Sequence, residues 1–237
     1  MSHVARVEVP GTLHLVEQRV RRELPASVEF HDRFVALAML HDSIYTHGVQ
    51  LCAYNVLSDR VLLVVIPMHR HASGLALMNA DHNFVRCFNT IHRRVAPLWE
   101  SRYDCCPFAD EVAWPVLRYV DLASVRAGDE SPFGRQALSS APEHAGLLTR
   151  GLLTVPPERF LSTARWRAYL ESPEDERFVQ ALELCLRTGK PFGPFSFVRK
   201  VEQACGRRVR PACLKWPGLF DGPHLMQNSG PQERVSR

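Results

Sequence analysis

The side chains of this chain most able to do chemistry are its arginines and lysines, and their densest run lies late in the sequence. Between Arg187 and Lys215 there are eight basic residues (Arg187, Lys190, Arg199, Lys200, Arg207, Arg208, Arg210 and Lys215) against one acid, Glu202, a net of +7. The whole chain of 237 residues carries a formal charge of +4, so the remainder is faintly acidic at −3. A basic segment on such a body is the footprint of a polyanion partner, because Lys and Arg take over the counterions condensed on phosphates. The competing reading is a solvated basic face with no partner. Seven cysteines (Cys52, Cys87, Cys105, Cys106, Cys185, Cys205, Cys213) are an odd number with no C-x-x-C spacing. They read as buried free thiols rather than a disulfide framework or a zinc site.

The elements that would position these groups follow from periodicity. Leu13 to Gln18 alternates and reads as a first strand. A helix is expected from Asp32 as N-cap, with Phe34, Leu37, His41, Ile44 and Tyr45 at helical spacing and Gly48 as its stop. Val49–Leu57 and Val61–Ile66 flank the short polar turn Ser58-Asp59-Arg60, the pattern of a hairpin. The second run is apolar throughout and predicts a central strand ended by Pro67. A long helix is expected from Ser73 to Val95, with Leu75, Met78, Val85, Phe88, Ile91 and Val95 on one face and Pro97 closing it. Tyr103–Cys106 reads as a fourth strand and Asp110–Ala123 as a further helix.

The order β-α-β-β-α-β predicts an α+β, ferredoxin-like split βαβ fold with an antiparallel sheet, over residues 12–128. Residues 129–157, rich in Ser, Pro, Gly and Ala, read as a linker or meandering loop. A small C-terminal helical basic module is expected over 158–211, with helices near Trp166–Leu170, Glu174–Arg187 and Phe195–Ala204, and Gly189 and Gly206 as C-caps. Residues 212–237 read as a disordered tail. The longest apolar run, Val61–Ile66, is far short of a membrane span, and the first residues lack an apolar signal core. A cytoplasmic protein with no membrane partner is the expectation.

Four phrases together resemble the REP-associated tyrosine transposases, insertion-sequence-200-like members of the HUH endonuclease group. They are Ala53-Tyr54 running into the strand pair; Leu98-Trp99-Glu100-Ser101-Arg102-Tyr103; Leu117-Arg118-Tyr119-Val120-Asp121-Leu122-Ala123-Ser124-Val125-Arg126-Ala127-Gly128; and Arg187-Thr188-Gly189-Lys190-Pro191-Phe192-Gly193 with Phe197-Val198 and Gly206-Arg207-Arg208 after it. They fall in order across residues 12 to 211, and the Arg-Tyr-Val phrase is the most specific. The resemblance implies a single-strand DNA endonuclease. In that family a His-apolar-His pair on a central strand holds Mg²⁺ or Mn²⁺, and a tyrosine attacks the scissile phosphate.

In this chain the matching histidine positions hold Arg60 and Leu62, and no tyrosine lies between Tyr54 and Tyr103. Counting back from Leu98-Trp99 places the tyrosine on the long helix at Phe84, Cys87 or His92, and Leu62 is expected to face Phe84. The resemblance therefore implies a degenerate site (Arg60, Leu62, Phe84) with no catalytic residue and no metal or other cofactor. His69-Arg70-His71 has a ligand-like spacing but falls after Pro67, where a solvated loop is expected. What survives is DNA binding, to single-stranded or hairpin DNA, by Arg86, Arg93, Arg94 and Arg102 near the long helix and by Arg207, Arg208 and Arg210. Guanidinium groups contact phosphates and stack on unpaired bases. Arg118 and Arg126 read either as further DNA contacts or as fold-fixing residues paired with Asp121, Glu111 or backbone carbonyls.

The leading function is thus a transposase-like DNA-binding pseudoenzyme. Two alternatives stand beside it: an active transposase with relocated groups (His69, His71 or His82 with Tyr103 or Tyr119), and a non-enzymatic protein-interaction scaffold. The sequence leaves the oligomeric state and the DNA sequence recognised open.

Overall fold

The computed structural model describes residues 6–24, 28–128, 131–134, 137–155, 163–209 and 219–220. Strands β1 (Leu13–Arg19), β2 (Val49–Val56), β3 (Arg60–Pro67) and β4 (Asp104–Phe108) form one antiparallel sheet in the order β2-β3-β1-β4. Helix α1 (Phe30–Thr46) joins β1 to β2, and α2 (Ala72–Ile91) joins β3 to β4. This is the α+β, ferredoxin-like arrangement expected from the element order. β1 and β3 are central, and β3 is covered on both faces, which is why it reads as an apolar run.

Alternation along the strands sorts their side chains onto two faces. Val16, Leu51, Tyr54, Val61, Leu63 and Val65 pack on one face with Leu37, Leu40 and Ile44 of α1 and Ala76, Leu77 and Ala80 of α2. Leu13, Leu15, Leu62, Val64, Ile66, Cys106 and Phe108 pack on the other. That second face is covered by α3 (Ala113–Asp121), entered through a 3₁₀ turn at Asp110–Val112, and by α6 (Thr163–Glu171) and α7 (Glu176–Thr188). Two single-turn helices, α4 (Ala123–Arg126) and α5 (Ala141–His144), and a last helix α8 (Phe195–Cys205) complete the described elements. Gly189 and Gly206 close α7 and α8 in the left-handed region (φ 63° and 64°), as their positions predict.

The long helices differ from expectation in instructive ways. Asp32 is not the N-cap of α1 but its third residue; Glu29 is the cap, and Asp32 Oδ2 accepts the Glu29 N–H at 3.0 Å to close a capping box. Phe34 and Tyr45 are exposed, and Leu40 lies inside with Leu37 and Ile44. On α2 the exposed residues include Leu75, Met78 and Ile91, with Val95 fully exposed just beyond the helix. The inner face is Ala72, Ala76, Leu77, Ala80, Phe84 and Phe88. Small side chains four apart let α1 and α2 approach closely, and Ser43 Oγ donates to the Ala76 carbonyl at 2.8 Å. A reading weighted toward large apolar residues misses a face built from alanine. α2 also ends at Ile91, because Arg93 takes a left-handed φ of 50°.

The Ser/Pro/Gly/Ala-rich stretch does not run free in its described part. Leu138 accepts from the Val56 N–H at 2.9 Å, Ser140 N–H donates to the Tyr54 carbonyl at 2.9 Å, and Thr154 N–H donates to that of Leu51 at 3.0 Å. These bonds cover the spare polar groups of β2, an edge strand. The tail from Trp216 lies outside the described residues except Leu219, which is buried, and Phe220, whose ring meets Phe192 at 5.3 Å. Cys52, Cys105, Cys106 and Cys185 are buried and form no disulfide among the described residues; Cys213 lies outside them. Among the described residues no helix is long and apolar enough to cross a membrane.

Candidate nucleic-acid interface

Arg60 and Leu62 project from β3 onto the α3/α7 face. Leu62 is 1% exposed among apolar neighbours and offers no ligating atom. The Arg60 guanidinium is held by Asp59 at 3.2 Å and by the buried Glu17 at 3.4 Å, and Glu17 also takes Arg19 at 2.8 Å. A guanidinium locked in two ion pairs cannot serve as a metal ligand, so these positions do not fit a divalent cation. Among the described residues no group of three or more His, Cys, Asp and Glu side chains is placed to hold a metal ion.

Phe84 lies on the opposite side of the sheet from Leu62, so the expected meeting of the two is wrong. It packs with Val20, Leu24, Val28, Phe88 and Leu98, its ring 5.9 Å from Phe88 and 6.2 Å from Trp99. The helix after the hairpin, α2, packs on the other face of the sheet, and the helix on the face of residues 60 and 62 is α3. Of the two tyrosines weighed as relocated nucleophiles, Tyr119 shares the face with Arg60, and Tyr103 does not. Tyr119 is nevertheless sealed in. Its hydroxyl donates to Glu183 Oε1 at 3.4 Å and Arg126 stacks on its ring at 4.2 Å. Burial pushes its phenol far above the usual value and Glu183 adds to this, outweighing Arg126. A buried phenol that resists ionisation is a poor nucleophile. His71 caps α2 in the left-handed region, His69 lies against Gly48, and exposed His82 is a full helix turn and more beyond them.

On the α2 side of the sheet an open cavity of about 700 Å³ lies between α2, the segment Trp99–Tyr103 and the start of the described chain. Arg6, Arg86 and Arg102 border it, with Trp99, Tyr103, Met78 and Val85 as its apolar walls. Arg86 and Arg102 are two of the arginines expected to meet DNA. Arg6 lies over the Tyr103 ring, 3.7 Å from its centroid, and donates to the Tyr103 carbonyl at 2.6 and 2.9 Å. Asp81 of α2 and Gln18 of β1 also line the cavity, joined by a hydrogen bond of 2.6 Å from Gln18 Nε2 to Asp81 Oδ2. Burial pushes the Asp81 carboxyl up to about 6, against the pull of the Gln18 amide and the Trp99 indole N–H. Such a volume admits a small ligand, and the lining offers cations, aromatic walls and one recessed carboxylate.

Arg93 is exposed at the turn after α2, and Arg94 is half-buried beside it. Arg208 is exposed after α8, Arg207 half-buried, and Arg210 lies outside the described residues. The Arg70 guanidinium donates to the Ala204 carbonyl at 3.2 Å, so the end of α8 abuts the start of α2. Arg118 and Arg126 take the fold-fixing alternative through the backbone carbonyls it named, with Glu174 in place of Asp121 or Glu111. Arg118 binds the Ser172 and Pro173 carbonyls and stacks on Tyr169; Arg126 binds Glu174 at 2.9 Å and the Tyr119 carbonyl. Sequence reading missed Arg6, Gln18 and Asp81. Trp99 and Tyr103 were visible within the Leu98–Tyr103 phrase, but nothing in the sequence ties Arg6 to them.

Fold and site together define an α+β, ferredoxin-like protein with an arginine-bordered cavity beside its sheet. No family model and no curated protein matches the chain. A solved structure of a REP-associated tyrosine transposase bound to a REP hairpin is similar to it at 12% identity, over 54% of this chain and 75% of that one, with a TM-score of 0.43. The likeness is distant.

Proposed function

We propose that this chain binds DNA in single-stranded or hairpin form and does not cut it. The observation that carries the reading is the cavity in which Arg6, Arg86 and Arg102 surround the rings of Trp99 and Tyr103. Cations that meet phosphates beside aromatic faces that stack on unpaired bases are the two halves of single-strand recognition. The exposed arginines after α2 and α8, and the four sequence phrases, point the same way. Loss of cleavage follows from the chemistry of the residues: Leu62 has no ligating atom, Arg60 is paired with Glu17, and Tyr119 is 3% exposed with its phenol held neutral. No metal cofactor is part of this reading.

The test is a gel shift with hairpin DNA over about 50 to 200 mM salt, together with a nicking assay in Mg²⁺. Retarded hairpin that is released as salt rises, with no nicked product, is the expected result. A covalent protein–DNA adduct surviving a denaturing gel would overturn the non-cutting half. Absence of binding at the lowest salt would overturn the whole and leave the protein-interaction scaffold.

A further inference from the structure

We propose that the cavity bounded by α2, Trp99 and Tyr103 is a pocket for a single unpaired guanine nucleotide, with the base edge on Asp81 and Gln18 and the phosphate on Arg86 and Arg102. This rests on the DNA-binding reading and gives it a chemical specificity. The carboxylate orients the Gln18 amide: Nε2 must face Asp81 Oδ2, so the carbonyl oxygen faces away as a second acceptor. The cavity lining thus carries a carboxylate acceptor beside an amide. Guanine is the DNA base whose Watson–Crick edge carries two adjacent donors, N1–H and N2–H. Adenine, cytosine and thymine each set a ring nitrogen or carbonyl acceptor beside their donor and would be repelled by a carboxylate. Trp99 and Tyr103 supply ring surface along the cavity wall, and Arg86 and Arg102 are both exposed at its border. The volume of about 700 Å³ leaves room for sugar and phosphate as well as base.

The site also predicts its own pH response. The Asp81 carboxyl is pushed by burial up to about 6, so the ionised form that accepts from guanine is lost on mild acidification. The other charged or titratable groups facing the cavity are Arg6 from the N-terminal segment, His82 and Arg86 from α2, and Arg102 and Tyr103 from the segment before β4. Burial pushes the Tyr103 phenol up to about 12, so it stays neutral over that range. A histidine gains positive charge on acidification, which draws phosphate in rather than releasing it. The phosphate monoester of every nucleotide also loses charge at about pH 6, so Asp81 is reported by the fall that guanosine monophosphate shows beyond the other three.

The experiment titrates the full chain with guanosine 5′-monophosphate and with its adenosine, cytidine and thymidine counterparts by calorimetry, at pH about 7.5 and about 5. Guanosine monophosphate should bind about tenfold more tightly than the others, the lower end of what a bidentate base contact discriminates. Its affinity should fall about tenfold more than theirs at the lower pH, one unit below the Asp81 midpoint. Asp81→Asn should remove both the preference and that excess pH response, while Arg86→Ala with Arg102→Ala should weaken all four nucleotides alike. Equal affinity for the four nucleotides, or a preference that survives Asp81→Asn, overturns the proposal. A parallel arm uses a hairpin whose single unpaired guanine is replaced by an abasic site. Hairpins bound equally with and without that base, and no guanosine monophosphate binding, overturn the pocket and leave DNA binding intact. Guanine-selective nucleotide binding without any hairpin binding supports the pocket and overturns the DNA-binding reading.

Discussion

Asp121 and His144 form a buried pair: His144 Nδ1 lies 2.7 Å from Asp121 Oδ2, and Nε2 of the same ring lies 2.9 Å from the Cys52 carbonyl oxygen. Both ring nitrogens thus face acceptors, which is the arrangement of an imidazolium. Ser140 Oγ at 2.6 Å and Trp166 Nε1 at 2.9 Å donate to the same carboxylate, so one buried acid ties α3, the stretch along β2 and α6 together. Burial alone would lower the His144 pKa, but Asp121 and the carbonyl outweigh it and the net shift is upward.

A raised folded-state pKa gives stability that is complete below the unfolded value near 6.5 and is lost as pH climbs through the folded value. Urea midpoints should therefore fall as pH rises above neutrality through the His144 transition. In His144→Gln that dependence should vanish, on a baseline about 3 kcal/mol or more lower because Asp121 loses a charged partner. A wild-type midpoint that rises steadily over the same range would contradict the imidazolium assignment.

Introducing the histidines and tyrosine of the family that the sequence resembles should not confer cutting. Arg60→His with Leu62→His places two imidazoles on the α3 face, while Phe84→Tyr puts its hydroxyl on the other side of the sheet. The triple variant should yield no covalent adduct with hairpin DNA on a denaturing gel. Phe84→Tyr alone should cost about 1–3 kcal/mol, since the new hydroxyl enters the Phe88, Leu98 and Val28 cluster.

Arg126→Ala should act on stability and not on DNA. The side chain spans Glu174, the Tyr119 carbonyl and the Tyr119 ring, linking α4 to α3 and to the connection between α6 and α7. A loss of about 1–3 kcal/mol is expected, with the salt slope of DNA binding unchanged. A flattened slope with unaltered stability would move Arg126 into the interface.

DNA affinity should fall steeply with salt, and the length of the stem should matter. Arg93 and Arg94 follow the last residue of α2, and the end of α8 with Arg208 beyond it lies against the first. α2 has 20 residues, so the two charge sites are roughly 30 Å apart, or about nine base pairs. Hairpins with stems longer than that should reach about six phosphates and a log–log salt slope of about −4 to −5. Shorter stems should lose about two units of slope, as should Arg207→Ala with Arg208→Ala on the long stem. A slope indifferent to stem length would place the DNA on one charge site alone.

The sequence by itself determined the sheet and its order. The apolar runs Val49–Leu57 and Val61–Ile66, the turn between them and Gly48 are local signals, and strands and caps answer to local chemistry. It also showed where the arginines gather. It could not say which helix covers which face, because a residue at period two points to one side while the partner on that side comes from about 57 residues further on, as Leu62 meets Tyr119 in one core. The inner face of α2 was hidden for a related reason: close packing against α1 selects Ala72, Ala76 and Ala80, which carry little weight in any apolar count. The cavity is the clearest case. Arg6, Gln18, Asp81 and Trp99 are scattered over four separate stretches of chain, and only closure of the fold makes them neighbours.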